Sequence, residues 1–264
     1  MEENRVQPFQ KYLSGNHLYH VENLLEVHFA ETKGFHSSCK VSIQETENED
    51  GTKNWQIEKT EDVPLPSENH FMEILHELEE KSYPISIKVD EKGSFLSAAD
   101  HKKYVEEWKQ KTASIQEKYQ NAEIFRNFYL SALEDESTYY QNQFKEPFWN
   151  LLLFAPSYAD NGGDSEESIR WNIKGIGNID CRGNLTAEQR EYGFDAFFRS
   201  ESTAPEHIKE ELNRKYLQRA EQYQAELTIQ MEYNSPKKQY TKKKAEFILR
   251  NGDQIVYREI SSMI

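Results

Sequence analysis

Apolar and polar residues alternate along several stretches of the chain. Leu25, Val27 and Phe29 alternate with Glu26, His28 and Ala30, and Cys39, Val41 and Ile43 with Lys40, Ser42 and Gln44. After a turn at Asp50-Gly51, Trp55 and Ile57 resume the pattern. Period two places one row of a strand in a core and the other in solvent. The spacing therefore predicts a strand from Val21 and a three-stranded antiparallel meander. The period then changes. Pro66-Ser67 is a helix-start signal, and Phe71, Ile74, Leu75 and Leu78 fall on one helical face. Pro84 ends that helix, and Ile85, Ile87 and Val89 predict another strand turned by Glu91–Ser94.

Helical spacing dominates next. Tyr104, Trp108, Ile115 and Tyr119 predict one helix over 98–120. A second begins near Asn121, with Ile124, Phe125, Phe128, Tyr129, Ala132 and Leu133 in pairs four apart. A third segment covers 137–145, and FWNLLLFAP after Pro147 reads as buried. ADNGGDSEES reads as an exposed acidic loop. Strands return at Ile169–Ile173, Ile176–Ile179 and Phe194–Arg199. Ser202-Thr203-Ala204-Pro205-Glu206 starts a helix that runs to about residue 220. Ala225, Leu227, Ile229 and Met231 alternate, and a hairpin closes the chain.

Strands and helices are segregated rather than interleaved, which predicts an α+β fold. The expected architecture is an antiparallel, curved sheet of two meanders with a central helical insert packed on it. Residues 1–16 are expected to be loose and 17–264 to form one domain, with a possible subdivision near 156–168. This order of elements resembles that of half-barrel carriers of lipids and lipoproteins. The resemblance lies in element order alone, and it implies an apolar ligand between sheet and helices.

The terminal hairpin accounts for a run of lysines. Five lie between Lys237 and Lys244. Asn251-Gly252 is a strong two-residue turn signal. Taking it as the turn pairs Arg250 with Asp253, Ile248 with Ile255, Phe247 with Val256, and Lys244 with Glu259. Ala245, Phe247, Leu249, Val256 and Ile260 would then share a face, with the lysines solvated at the strand start.

Composition narrows the possibilities. Only 36% of the 264 residues are hydrophobic, but 15 Tyr and 14 Phe give the chain a core built on rings rather than a disordered composition. The formal net charge is −14, which opposes nucleic acid and anionic membrane and favours solubility or a basic partner. Two cysteines, Cys39 and Cys181, make no disulfide framework. The N-terminus lacks the apolar core of a signal peptide, and no run of about 18 apolar residues exists to insert in a membrane. A cytoplasmic location is expected.

Candidate chemistry is sparse. Glu73-x-x-His76 matches half of a di-iron carboxylate motif, whose second half is absent. Asp160, Asn161, Asp164 and Glu166 crowd one loop but lack the EF-hand spacing. His17-x-x-His20 and His36-x-x-Cys39 have zinc-like spacing without a second pair nearby in sequence. No nucleophile elbow, phosphate loop or dinucleotide fingerprint is present. Cys39 and Cys181 read as buried thiols. Tyr139, Tyr140, Phe144, Phe148, Trp149 and Phe154 read as core, or else as the lining of an apolar pocket. No catalytic, cofactor or metal residue is assigned.

Three functions remain, in order. The first is a non-catalytic binding or structural protein acting on a protein partner, as an antitoxin-like or immunity-like partner of a basic protein or as part of an assembly. Its candidate contacts are Glu45–Asp50, Glu134–Glu136 and Asp160–Glu167. The second is a carrier of an apolar small molecule or lipid, and the third an enzyme whose site carries no motif. One expectation follows from charge. Anisotropy with mixed oligonucleotides at physiological salt should detect no specific binding. Sub-micromolar, salt-dependent binding lost on neutralising the lysine run would contradict it.

Overall fold

The computed structural model describes residues 13–28, 32–61, 70–91, 93–144, 147–154, 165–174, 176–216, 220–235 and 239–264. Three strands open the chain: β1 (Leu13–His28), β2 (Thr32–Glu47) and β3 (Lys53–Glu61). Helix α1 (His70–Glu80) and strands β4 (Ile85–Val89) and β5 (Phe95–Ala98) follow. Five helices come next: α2 (His101–Lys111), α3 (Ile115–Lys118), α4 (Ala122–Glu134), α5 (Glu136–Gln143) and α6 (Pro147–Leu153). The rest is β6 (Ser165–Ile173), β7 (Gly177–Arg190), β8 (Gly193–Thr203), α7 (Glu206–Tyr216), β9 (Gln224–Asn234), β10 (Gln239–Asn251) and β11 (Gln254–Met263). All eleven strands join one antiparallel sheet in the order β5-β4-β3-β2-β1-β11-β10-β9-β8-β7-β6.

Alternation decides which face is covered. Tyr19 and Val21 on β1, Val41 and Ile43 on β2, and Leu227, Ile229 and Met231 on β9 are buried. The intervening His20, Glu22, Lys40, Gln44 and Gln230 are exposed. One buried cluster joins β1–β5 to helices α1–α6, and a second joins β6–β11 to α7 through Ile208 and Leu212. Helix α6 lies against β1, β10, β11 and β6.

The second half of the sheet bends. β6 and β11 are five places apart in strand order, about 24 Å if flat at ~4.8 Å per strand. Yet Trp171 Nε1 on β6 donates to Glu259 Oε2 on β11 at 3.0 Å. Trp171 also stacks on Phe247 of β10, ring centroids 6.1 Å apart. The backbone N–H of Lys174 reaches the Tyr257 hydroxyl at 3.3 Å. These contacts require the strands to curl around the buried cluster.

Several sequence expectations are corrected. β1 begins at Leu13, so Leu13–Asn16 are strand rather than loose chain; residues 1–12 lie outside the described ones. The strand starts early because β1 pairs with the far end of β2, from Leu13 against Thr46 to His17 against Ile43. The helix expected over 98–120 is broken between α2 and α3. There the Thr112 hydroxyl donates back to Trp108 O at 2.9 Å and accepts from Arg126 Nε at 3.0 Å. β7 runs on to Arg190 through a stretch whose polarity hid it. Gly183 interrupts its inward row because the Arg199 carbonyl of β8 lies 2.0 Å from where a Cβ would sit. β6 starts at Ser165, inside the expected acidic loop, and α7 is described over Glu206–Tyr216, with residues 217–219 outside the described ones. The helix-start signal at Pro66-Ser67 lies outside the described residues.

The terminal hairpin exists in a different register. Asn251 pairs with Gln254, so the turn residues are Gly252 and Asp253, with Gly252 at φ 58°. A bulge between Leu249 and Arg250 then shifts the ladder, so that Leu249 faces Tyr257 and Phe247 faces Glu259. Tyr257, Glu259, Ser261 and Met263 share the core face with Ala245, Phe247 and Leu249, and Val256, beside the bulge, is buried in the same cluster; Ile260 lies on the other face. A register shift of one residue exchanges a strand's faces, and a bulge makes that shift locally. In exchange Arg258 reaches solvent and pairs with Glu246 at 2.7 Å.

Phe247 is fully buried between Trp171 and Tyr257. Phe247→Ala should cost about 3–5 kcal/mol in urea melts. A loss below about 1 kcal/mol would place Phe247 outside the load of the core.

Candidate functional site

The metal-like spacings do not converge. His17 and His20 are three apart on a strand and so point to opposite faces. The same geometry buries Cys39 and leaves His36 exposed. His17 Nδ1 is engaged by Gln239 Oε1, and His20 lies 3.5 Å from Glu22. Glu73 and His76 are half-buried on α1. Among the described residues no group of three or more His, Cys, Asp and Glu side chains could hold a metal ion. Asp160, Asn161 and Asp164 lie outside those residues. Both thiols are buried, and burial pushes the Cys181 thiol up to about 12.

Four residues of the acidic clusters, Glu45, Asp50, Glu134 and Asp135, are paired within the chain. Glu45 is buried and accepts from Trp55 Nε1 at 2.8 Å and Lys53 Nζ at 3.1 Å. Asp50 is held down at about 2 by its hydrogen bonds from Thr52 and then from Lys88. Glu134 pairs with Lys109 at 3.1 Å, and Asp135 caps α5 by accepting from Thr138 N at 3.0 Å.

The expected aromatic region is packed. Tyr139, Tyr140, Phe148 and Trp149 are buried among the helices, and Phe154 crosses to the other cluster to meet Phe198, centroids 5.8 Å apart. The Tyr104 and Tyr139 hydroxyls lie 2.7 Å apart, and Tyr104 donates to Ser82 O at 2.8 Å. Burial raises both phenols well above the ordinary range.

Lys243 was expected to be solvated and is instead fully buried in the middle of the sheet. Its Nζ donates to Leu151 O at 2.8 Å, Leu152 O at 3.1 Å and Phe154 O at 2.8 Å, and lies 4.3 Å from the Tyr240 ring centre. Strand alternation puts it inside while Lys242 pairs with Glu232 at 3.4 Å and Lys244 is exposed. Lys237 and Lys238 lie outside the described residues. The three carbonyls belong to the end of α6, where a helix leaves backbone acceptors open to N–H donors.

The feature that the sequence left unread is on α4. Its residues four apart form two rows. Phe125, Tyr129 and Leu133 turn inward with Ala122. Ile124 and Phe128 form a second row, 66% and 74% exposed. Phe71 of α1, 41% exposed, meets Phe125 of the inward row edge-on at 5.0 Å. Glu123 and Asn127 beside the row are exposed. Both rows satisfy the same four-residue spacing, so the spacing alone does not tell the buried row from the exposed one. Among the described residues no helix is long and apolar enough to cross a membrane.

No family model matches the chain, and no curated protein matches it. A solved structure described as "Lipid-protein interactions in lipovitellin" is similar over 96% of this chain, with a TM-score of 0.46 and 9% identity. This chain spans 25% of that one.

Burial pulls the Lys243 amine down to about 7 from 10.5. Between those values the folded state binds fewer protons than the unfolded state, so stability should rise with pH. Chemical denaturation from pH 7 to 10 should show wild type gaining roughly 1 kcal/mol per pH unit relative to Lys243→Met. A flat difference would mean that the three carbonyls hold the ammonium charged throughout.

Proposed function

We propose that this is a non-catalytic binding protein, a single working unit over residues 17–264, that acts by docking a protein partner on the outer row of α4. The observation that carries the reading is the exposure of Ile124 and Phe128, two large apolar side chains one turn apart on the same face of α4. Contiguous exposed apolar surface is where soluble proteins engage partners, whereas scattered single residues such as Leu18 need no explanation. Aromatic and aliphatic anchors carry most of the energy of such contacts. The net charge of −14 favours a basic partner and a fast, salt-sensitive encounter.

The carrier reading has less support. Trp108, Trp149, Tyr139 and Tyr140 fill the space between the helices and the sheet, and Trp171 and Phe247 fill the curl of the second half.

The test begins with a partner captured at low salt and identified by mass spectrometry, then purified. Ile124→Ala with Phe128→Ala should weaken its binding at least ten-fold, the scale of an interface hot spot. The melting transition should be unchanged, as at other surface sites. Unchanged affinity would move the contact elsewhere, and turnover in a broad substrate screen would overturn the non-catalytic reading.

A further inference from the structure

The water-facing side of α4 has a shape as well as an apolar pair. Ile124, Asn127, Phe128 and Ser131 are all exposed and stand at i, i+3, i+4 and i+7. Four residues at that spacing outline a diamond on a helix surface, the hole that receives one side chain of a packed helix. Ile124 and Phe128 are its two large corners. Ser131 keeps a third corner low, and its hydroxyl is satisfied by donating to Phe128 O at 2.8 Å. An apolar side chain can therefore cover Ser131 without stranding a polar group.

The two flanks of the diamond differ in charge. Helical spacing puts Glu123 and Glu134, both exposed, on the Asn127 side, and Phe125 and Ala132, both half-buried, on the other. Helix α4 contains no lysine. Its arginine, Arg126, is turned away from the diamond and donates to Thr112 Oγ1 at 3.0 Å and Lys109 O at 3.1 Å. Lys109 reaches Glu134 at 3.1 Å but is shared with Glu106, also at 3.1 Å. One flank is therefore acidic at both ends. At about 1.5 Å per residue its two carboxylates are ~16 Å apart along the axis.

We propose that the partner docks a basic amphipathic helix along α4, with one apolar side chain seated in the diamond and lysines or arginines on one flank reaching Glu123 and Glu134. The inference rests on the α4 docking reading and adds the secondary structure and charge pattern of the partner. Helices that dock this way carry apolar anchors three and four residues apart. A second copy of the chain is the poorer occupant, because it would bring the same acidic flank and a net charge of −14 to the contact.

The probe is a capped, alanine-based peptide of about 18 residues, long enough to hold a helix in water. It carries leucines three and four apart and, on one flank, two lysines about 11 residues apart. Fluorescence anisotropy with the full chain should show saturable binding, at least ten-fold tighter than that of a peptide of the same composition whose leucines are spread around the helix. A central proline, which breaks the helix, should weaken binding at least ten-fold. Ser131→Arg, which fills the diamond at an exposed site, should do the same with the melting transition retained, as should Ile124→Ala with Phe128→Ala. Glu123→Lys should weaken the lysine peptide and favour one with glutamate in place of the lysines. Equal binding of the proline or spread-leucine peptide, or binding insensitive to Ser131→Arg, would overturn the proposal. So would a dimer of the chain in sedimentation that Ser131→Arg abolishes. If the helical peptide does not bind while the captured partner still depends on Ile124 and Phe128, the helix is overturned and docking on α4 stands. If neither the partner nor the peptide responds to the double variant, both readings fall.

Discussion

The Lys243 amine ties the helical layer to the sheet. It rises from β10, near the middle of the strand order, and grips three consecutive-turn carbonyls at the end of α6. Helix α6 in turn touches β1, β10, β11 and β6. A short helix has little intrinsic stability, so its position depends on such tertiary contacts. Removing an amine from water is costly, and the hydrogen bonds at Lys243 compensate part of that cost while satisfying carbonyls that a helix end leaves open. The two buried clusters meet around this point, with Leu151 in one and Leu152 in the other.

A second polar contact shapes the other half. The Trp171–Glu259 hydrogen bond crosses the interior of the curled strands, beside the Trp171–Phe247 stack. A carboxylate in this position demands donors, and the indole N–H supplies one. Curvature, ring packing and buried polarity are therefore coupled. Bending the strands brings β6 to β11, with Trp171, Phe247 and Tyr257 buried together inside the bend. On α4, one helix divides its apolar residues between a row that holds the fold and a row that faces water.

The strand alternation at Cys39–Ile43 and at Ala225–Met231 was legible because over these residues each strand buries one face only. The long polar reach of β7 was not, because Gly183 yields its side chain to the approach of β8. Candidate metal pairs looked plausible by spacing, but residues three apart on a strand diverge. The exposed row on α4 was invisible for the opposite reason: Ile124 and Phe128 obey the same four-residue spacing as Phe125 and Tyr129.

Local pattern by itself determined the antiparallel α+β character, most element positions and an acidic, ring-rich chain, since those depend on residues close in sequence. Tertiary structure alone decided the hairpin register, the burial of Lys243, the bend that joins β6 to β11 and the choice of which α4 row faces solvent. Each of these depends on contacts between residues far apart in the chain, such as the 88 positions separating Trp171 from Glu259. Periodicity records which residues share a face; it carries no information about what, if anything, that face will meet.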